Sequence, residues 1–228
     1  MFGLDDVIAN WSDETTILLV SVVATLLGLR HATDPDHVAA VSTLVASSRE
    51  RATRTGAVLG AAWGAGHAVT LFLLGLPILL FGAYLPERAQ QAAETAIGVL
   101  IVYLAVRLLM RWRSGGLQIH GHPDAHGART AIGAFGIGLA HGIGGSAGVG
   151  ILIVASVEST GLAVAALALL ALFTAVSMTV LTAGFGRMLA SRPVRTAYGV
   201  VAPGLGVASL AFGIWYATAA WAIAPYPF

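Results

Sequence analysis

His31-Ala32-Thr33-Asp34-Pro35-Asp36-His37 puts two imidazoles and two carboxylates into one short run of a very apolar chain. A hydrophobic run, Thr16 to Leu29, precedes it, and a mildly apolar one, Val38 to Ala46, follows. Ionisable side chains are costly inside a bilayer and persist there with a partner or a task. Nitrogen and oxygen donors this close together point to a divalent transition-metal site. Six residues of unbroken α-helix would leave His31 and His37 about 120° apart around the axis. Pro35 changes that, because it removes a backbone donor and disfavours helix at Asp34. Asp34-Pro35 also reads as an N-cap followed by proline at the first helical position. The first span is therefore expected to break near 31–34, with a 3₁₀-type turn aligning His31, Asp34 and His37. Asp36 falls in the first turn of the new half-helix, where the dipole favours a carboxylate.

The rest of the composition agrees with a membrane setting. The 228 residues are 57% hydrophobic and only 10% charged, against about 25% charged in a typical soluble domain. The mean hydropathy is +0.83. With no Cys there is no disulfide, thiolate site or dithiol chemistry. All twelve basic residues are Arg, and no basic run suggests a nucleic-acid partner. Met1 to Glu14 is acidic and polar, the opposite of a basic signal n-region.

The expected architecture is all-α, one transmembrane domain over 1–228 with six spans, since about 20 apolar residues cross a bilayer. The stretches are roughly 16–46, 56–84, 92–110, 131–156, 161–186 and 197–222. Arginine favours the cytoplasmic side. Arg49, Arg51, Arg54, Arg107, Arg111, Arg113, Arg129, Arg187, Arg192 and Arg195 fall on one side, and Arg88 on the other with Asp5, Asp6, Asp13, Glu14, Glu87 and Glu158. Both termini are thus expected to face away from the cytoplasm, in the inner or plasma membrane.

Gly28-Leu29-Arg30-His31 recurs as Gly138-Leu139-Ala140-His141, three spans later. An odd number of spans per half inverts the second half, which predicts a 3+3 inverted repeat (about 15–112 and 130–224) with a site on broken helices near mid-membrane. Glycine spacings such as Gly56, Gly60 and Gly64 predict close helix packing, and small-residue faces leave room for a homo-oligomer.

The candidate metal ligands are His31, Asp34, Asp36 and His37, joined by His67 on the second span and His141 on the fourth. Imidazole with carboxylate suits Ni, Co, Zn, Fe(II) or Mn, while the absence of Cys and the four Met argue against Cu(I). Neutral imidazole and ionised carboxylate are the ligand forms, so binding should release protons and weaken at acid pH. Structural readings stand beside these: a polar network closing the break with Arg30 on an Asp, or an interhelical hydrogen bond for His67. The loop 113–129 carries His120, His122, Asp124 and His126, either a cytoplasmic metal collector or an ordinary polar loop.

His31-x4-Asp36-His37, with Gly66-His67 on the next span, resembles the signature of the nickel/cobalt transporter family, most of all its short UreH-like branch. The resemblance is firm over roughly 28–75. It implies a permease for Ni²⁺ and/or Co²⁺, with His31, Asp36 and His37 required, the ion being substrate and no prosthetic group being needed. Import is the direction it favours, and efflux is the alternative. Longer family members have about eight spans and an acidic Leu-Gly-x-Asp-Thr-Ala motif, and Leu172-Phe173-Thr174-Ala175 lacks the carboxylate. A reading of a different class is an intramembrane hydrolase on Gly144-Gly145-Ser146-Ala147-Gly148. Hydrolases place Gly-x-Ser-x-Gly on a strand-to-helix turn, and here it lies in a glycine-rich span, so no enzyme is expected.

Overall fold

Pro35 has no N–H to offer the carbonyl of His31, and the chain breaks there. A computed structural model describes residues 4–46, 53–82, 86–115, 127–143, 151 and 155–225. The helices are α1 (Leu4–His31), α2 (Pro35–Ala46), α3 (Thr53–Phe81), α4 (Glu87–Arg113), α5 (Gly127–His141), α6 (Thr160–Ala190), α7 (Arg192–Thr196) and α8 (Tyr198–Ala219). No strand occurs among the described residues.

At the break, Thr33 N–H donates to Arg30 O (2.8 Å) and Asp34 N–H to His31 O (3.1 Å), a turn of 3₁₀ type. Val38 N–H to Asp34 O (3.0 Å) opens α2. The two half-helices meet at a bend of 48°. The tightened turn leaves Leu29 O without its usual acceptor role toward Thr33, and Ser177 Oγ–H on α6 donates to it at 2.6 Å. Ser177→Ala is therefore expected to cost roughly 0.5–1.5 kcal/mol. That would lower the thermal midpoint of the detergent-purified protein, with Ser177→Thr keeping it.

The bend carries the chain from the periphery to the centre. On α1, Leu18 and Leu26 remain 67% and 59% exposed, as lipid-facing side chains would be. On α2, Asp36, His37 and every residue from Ala40 to Ala46 are buried, against α4, α6 and α8. Tyr198 Oη–H donates to Ala46 O (2.5 Å) and Ser209 Oγ–H to Ala39 O (3.3 Å), which fixes α2 on α8.

Around this core α3 lies on α6, α4 on α8, α1 on α6 and α5 on α3. Glycines make these approaches possible. A methyl at Gly64 would meet the backbone of Ala175 at 2.9 Å, one at Gly56 the carbonyl of Thr182 at 2.6 Å, and one at Gly98 the carbonyl of Gly213 at 2.8 Å. The expected glycine packing of Gly56, Gly60 and Gly64 is thus contact with α6.

Among the described residues, four single helices are long and apolar enough to cross a membrane, and the bent α1–α2 pair makes a fifth. Of the expected fourth span, 131–156, the described helix contributes Ala131–His141, too short to cross alone. Residues 144–150 and 152–154 lie outside the described residues. The helical run at the start also reaches further than its polar composition suggests, since α1 begins at Leu4.

Candidate metal centre

The turn at 31–34 and the first turn of α2 bring His31, Asp34, Asp36 and His37 to one place, α3 adds His67, and α5 adds His141 at its last residue. All six side chains are buried, with His37 and Asp36 at 0% and 1% exposure. Imidazole ring centroids are 4.6 Å apart for His31–His37, 5.0 Å for His31–His67 and His37–His67, and 4.4 Å for His37–His141.

Asp36 is the hub. Its Oδ1 accepts from His37 Nδ1–H and its Oδ2 from His141 Nε2–H, each at 3.1 Å. A buried carboxylate is costly unless it is paired and hydrogen-bonded, and these two rings supply that. The bond has a second effect: with its hydrogen on Nδ1, His37 holds the lone pair on Nε2, and His37 Nε2 has no partner. A carboxylate behind a histidine orients metal-binding imidazoles in the same way.

His31 follows the same plan. Its Nδ1 is 3.2 Å from Asp34 Oδ2, which favours the hydrogen there and the lone pair on Nε2. That Nε2 lies 2.9 Å from His67 Nε2, so with His31 neutral in this tautomer, His67 is the donor of the pair. Among the described residues, His67 Nδ1 and His141 Nδ1 are buried without partners. Two trios of ligand atoms result, His31–His37–His67 and Asp36–His37–His141, each with atoms within 4.8 Å of one another.

Asp34 does less than a cap and a ligand together would. Its carboxylate turns to His31 and to the Arg30 guanidinium at 3.7 Å instead of capping α2. Arg30 reaches outward, its side chain 73% exposed. The structural reading of the break, an arginine pairing an aspartate, is thus present at Asp34, while Asp36 is held by imidazoles alone.

Two further residues line the cluster's surroundings: Trp63, which no motif marks, and Thr174, which the sequence offers only within the Leu172-Phe173-Thr174-Ala175 run. Trp63 is fully buried on α3, its ring centroid 5.6 Å from that of His37 and 5.7 Å from that of His141. It stands one helical turn before His67, which is the signal that places it on the same face. Thr174 on α6 is fully buried, and its hydroxyl has no partner among the described residues. The loop group His120, His122, Asp124 and His126, and the Gly144–Gly148 run with Ser146, lie outside the described residues.

Apolar helices closed around imidazoles and carboxylates make this an integral membrane protein. A curated relative, the urease accessory protein UreH of Bacillus sp. (strain TB-90), is 30% identical over 155 residues, 64% of this chain and 67% of the relative. The chain belongs to the nickel/cobalt transporter family, in its short UreH-like branch. No family model matches it, and no solved structure does.

Proposed function

We propose that the protein is a six-span permease that carries Ni²⁺ and/or Co²⁺ across the cell membrane, inward. The observation that carries this reading is the convergence of His31, His37 and His67 ligand nitrogens within 4.8 Å in the buried core. In this reading the three Nε2 atoms take the ion, the His67 ring hydrogen passing from Nε2 to Nδ1 as the ion replaces the His31–His67 hydrogen bond, while Asp34 and Asp36 orient His31 and His37 and His141 holds Asp36. An ion with metal–nitrogen bonds of about 2.0–2.1 Å would hold two cis nitrogens about 2.9 Å apart. That is the spacing of His31 and His67 and the right-angled arrangement that Ni(II) accepts. The two carboxylates behind the rings offset the cargo's double charge. The relative's name, an accessory protein of urease, favours supply to an enzyme over efflux and over catalysis by this chain.

The inverted-repeat architecture has support of its own. α3 on α6 and α4 on α8 are contacts that a two-fold between halves 15–112 and 130–224 would map onto themselves, and α1 on α6 and α5 on α3 are contacts that it would exchange. The arginine distribution supports an orientation with both termini on the non-cytoplasmic side.

The test is cellular ⁶³Ni²⁺ accumulation in a nickel-transport-deficient strain, with wild type, His37→Ala and empty vector at equal expression. Accumulation that exceeds the vector and falls at least tenfold in His37→Ala is the expected result. Accumulation below the vector, restored by His37→Ala, would mean efflux. No difference among the three would remove nickel transport.

A further inference from the structure

The bend after α1 and the C-terminal end of α5 are built alike, and the likeness extends to residues with no assigned role. At the first, Thr33 N–H turns back to Arg30 O and Ser177 on α6 donates to Leu29 O. At the second, Ile143 N–H turns back to Ala140 O at 3.4 Å, and Thr70 Oγ–H on α3 donates to Leu139 O at 3.0 Å. Gly28 lies against the carbonyl of Leu170 and the amide of Thr174, four residues apart on α6. Gly138 lies against the carbonyl of Trp63 and the amide of His67, four residues apart on α3. One register relates all of these: Leu29 to Leu139, His31 to His141, Thr70 to Ser177, Trp63 to Leu170, and so His67 to Thr174.

His67 is the residue that meets His31. Its counterpart Thr174 and the counterpart of His31, His141, are both buried, and among the described residues each has a polar atom without a partner, Thr174 Oγ1 and His141 Nδ1. Buried polar groups in folded proteins are nearly always hydrogen-bonded, so a pair of orphans calls for an explanation. We propose that Thr174 and His141 form a second, weaker subsite for the transported cation, the pseudo-two-fold counterpart of the His31–His67 subsite. This inference rests on the transport reading above. Late divalent metals favour imidazole nitrogen over a neutral hydroxyl oxygen, so the second subsite holds the ion less tightly than the first. An ion path needs that asymmetry, binding strong enough to enter and weak or divided enough to leave.

Thr174→Val removes one oxygen and keeps the shape. Because the hydroxyl has no protein partner, the variant is expected to be at least as stable as wild type to thermal unfolding in detergent. Its Co²⁺ affinity by calorimetric titration of the full chain should stay within about threefold of wild type, since the His31–His37–His67 trio is intact. Its initial rate of ⁶³Ni²⁺ uptake should fall at least tenfold, and Thr174→Ser should restore most of it. A Thr174→Val protein that transports at the wild-type rate overturns the proposal. So does one that loses Co²⁺ binding outright, which would put Thr174 in the primary site, or one that fails to reach the membrane, which would make the hydroxyl structural. His67→Ala run in parallel separates the two readings. If it is inactive while Thr174→Val is normal, only the second subsite fails; if it is itself normal, the His31–His37–His67 site fails.

Discussion

Asp36→Asn is expected to lower ⁶³Ni²⁺ accumulation about a hundredfold, the upper end of what an outer carboxylate contributes at a metal site. Both carboxylate oxygens accept from an imidazole, His37 on one side and His141 on the other. An amide has one accepting end and one donating end. If its NH₂ faces His37, the ring hydrogen must move to Nε2, and the lone pair offered to the ion is lost. If it faces His141, that ring must turn its hydrogen to Nδ1, which has no acceptor in the structure. Either way the site also loses a negative charge opposite a doubly charged cargo. The substitution is isosteric, so expression should hold and Co²⁺ titration of the purified variant should show weakened binding in an intact protein. A variant that keeps more than half of the wild-type accumulation would mean that Asp36 does not set the orientation of His37.

The second large effect is steric. A methyl at Gly138 would run into the carbonyl of Trp63 and stand 2.9 Å from the amide nitrogen of His67. α3 cannot retreat, because Gly64 already sets it against the backbone of Ala175. α5 must therefore move away, and it carries His141 off Asp36. Overpacking of this kind costs about 1–3 kcal/mol, and here it also opens the site. Gly138→Ala is expected to lose at least nine-tenths of transport and to melt earlier in detergent. Gly133 and Gly136 on the same helix face open space, with nothing within 4 Å of where a methyl would stand. Gly133→Ala and Gly136→Ala should be neutral or stabilise by up to about 1 kcal/mol through helix propensity. If Gly138→Ala behaves like these two, the α3–α5 contact does not position the site.

What the sequence made legible was chemical type and covalent punctuation. Pro35 announced the break, and four of the seven histidines fall within apolar spans, so His31, His37, His67 and His141 stood out as candidates before any fold. Side-chain direction was not legible. Asp34 and Asp36 are two residues apart and look equivalent in the sequence, yet one faces Arg30 and His31 and the other joins His37 to His141. Trp63 and Thr174 were hidden for another reason. α3 and α6 are apolar on every side, because one face meets lipid and the other meets protein, so hydropathy carries no period that separates inner from outer.

Ser177 has a consequence in time as well as in space. The carbonyl of Leu29, freed by the bend that creates the cluster, is met by a hydroxyl almost 150 positions further along the chain. At synthesis rates of about 5–20 residues per second, the ribosome needs roughly 7–30 s to travel from Asp34 to Ser177. During that interval α1 and α2 are already made while the helix that holds their junction is not. The end of α5 has no such wait, because Thr70, which meets Leu139, precedes it in the chain. The contact that holds the first bend is thus made only after His31, His37, His67 and His141 have all been synthesised.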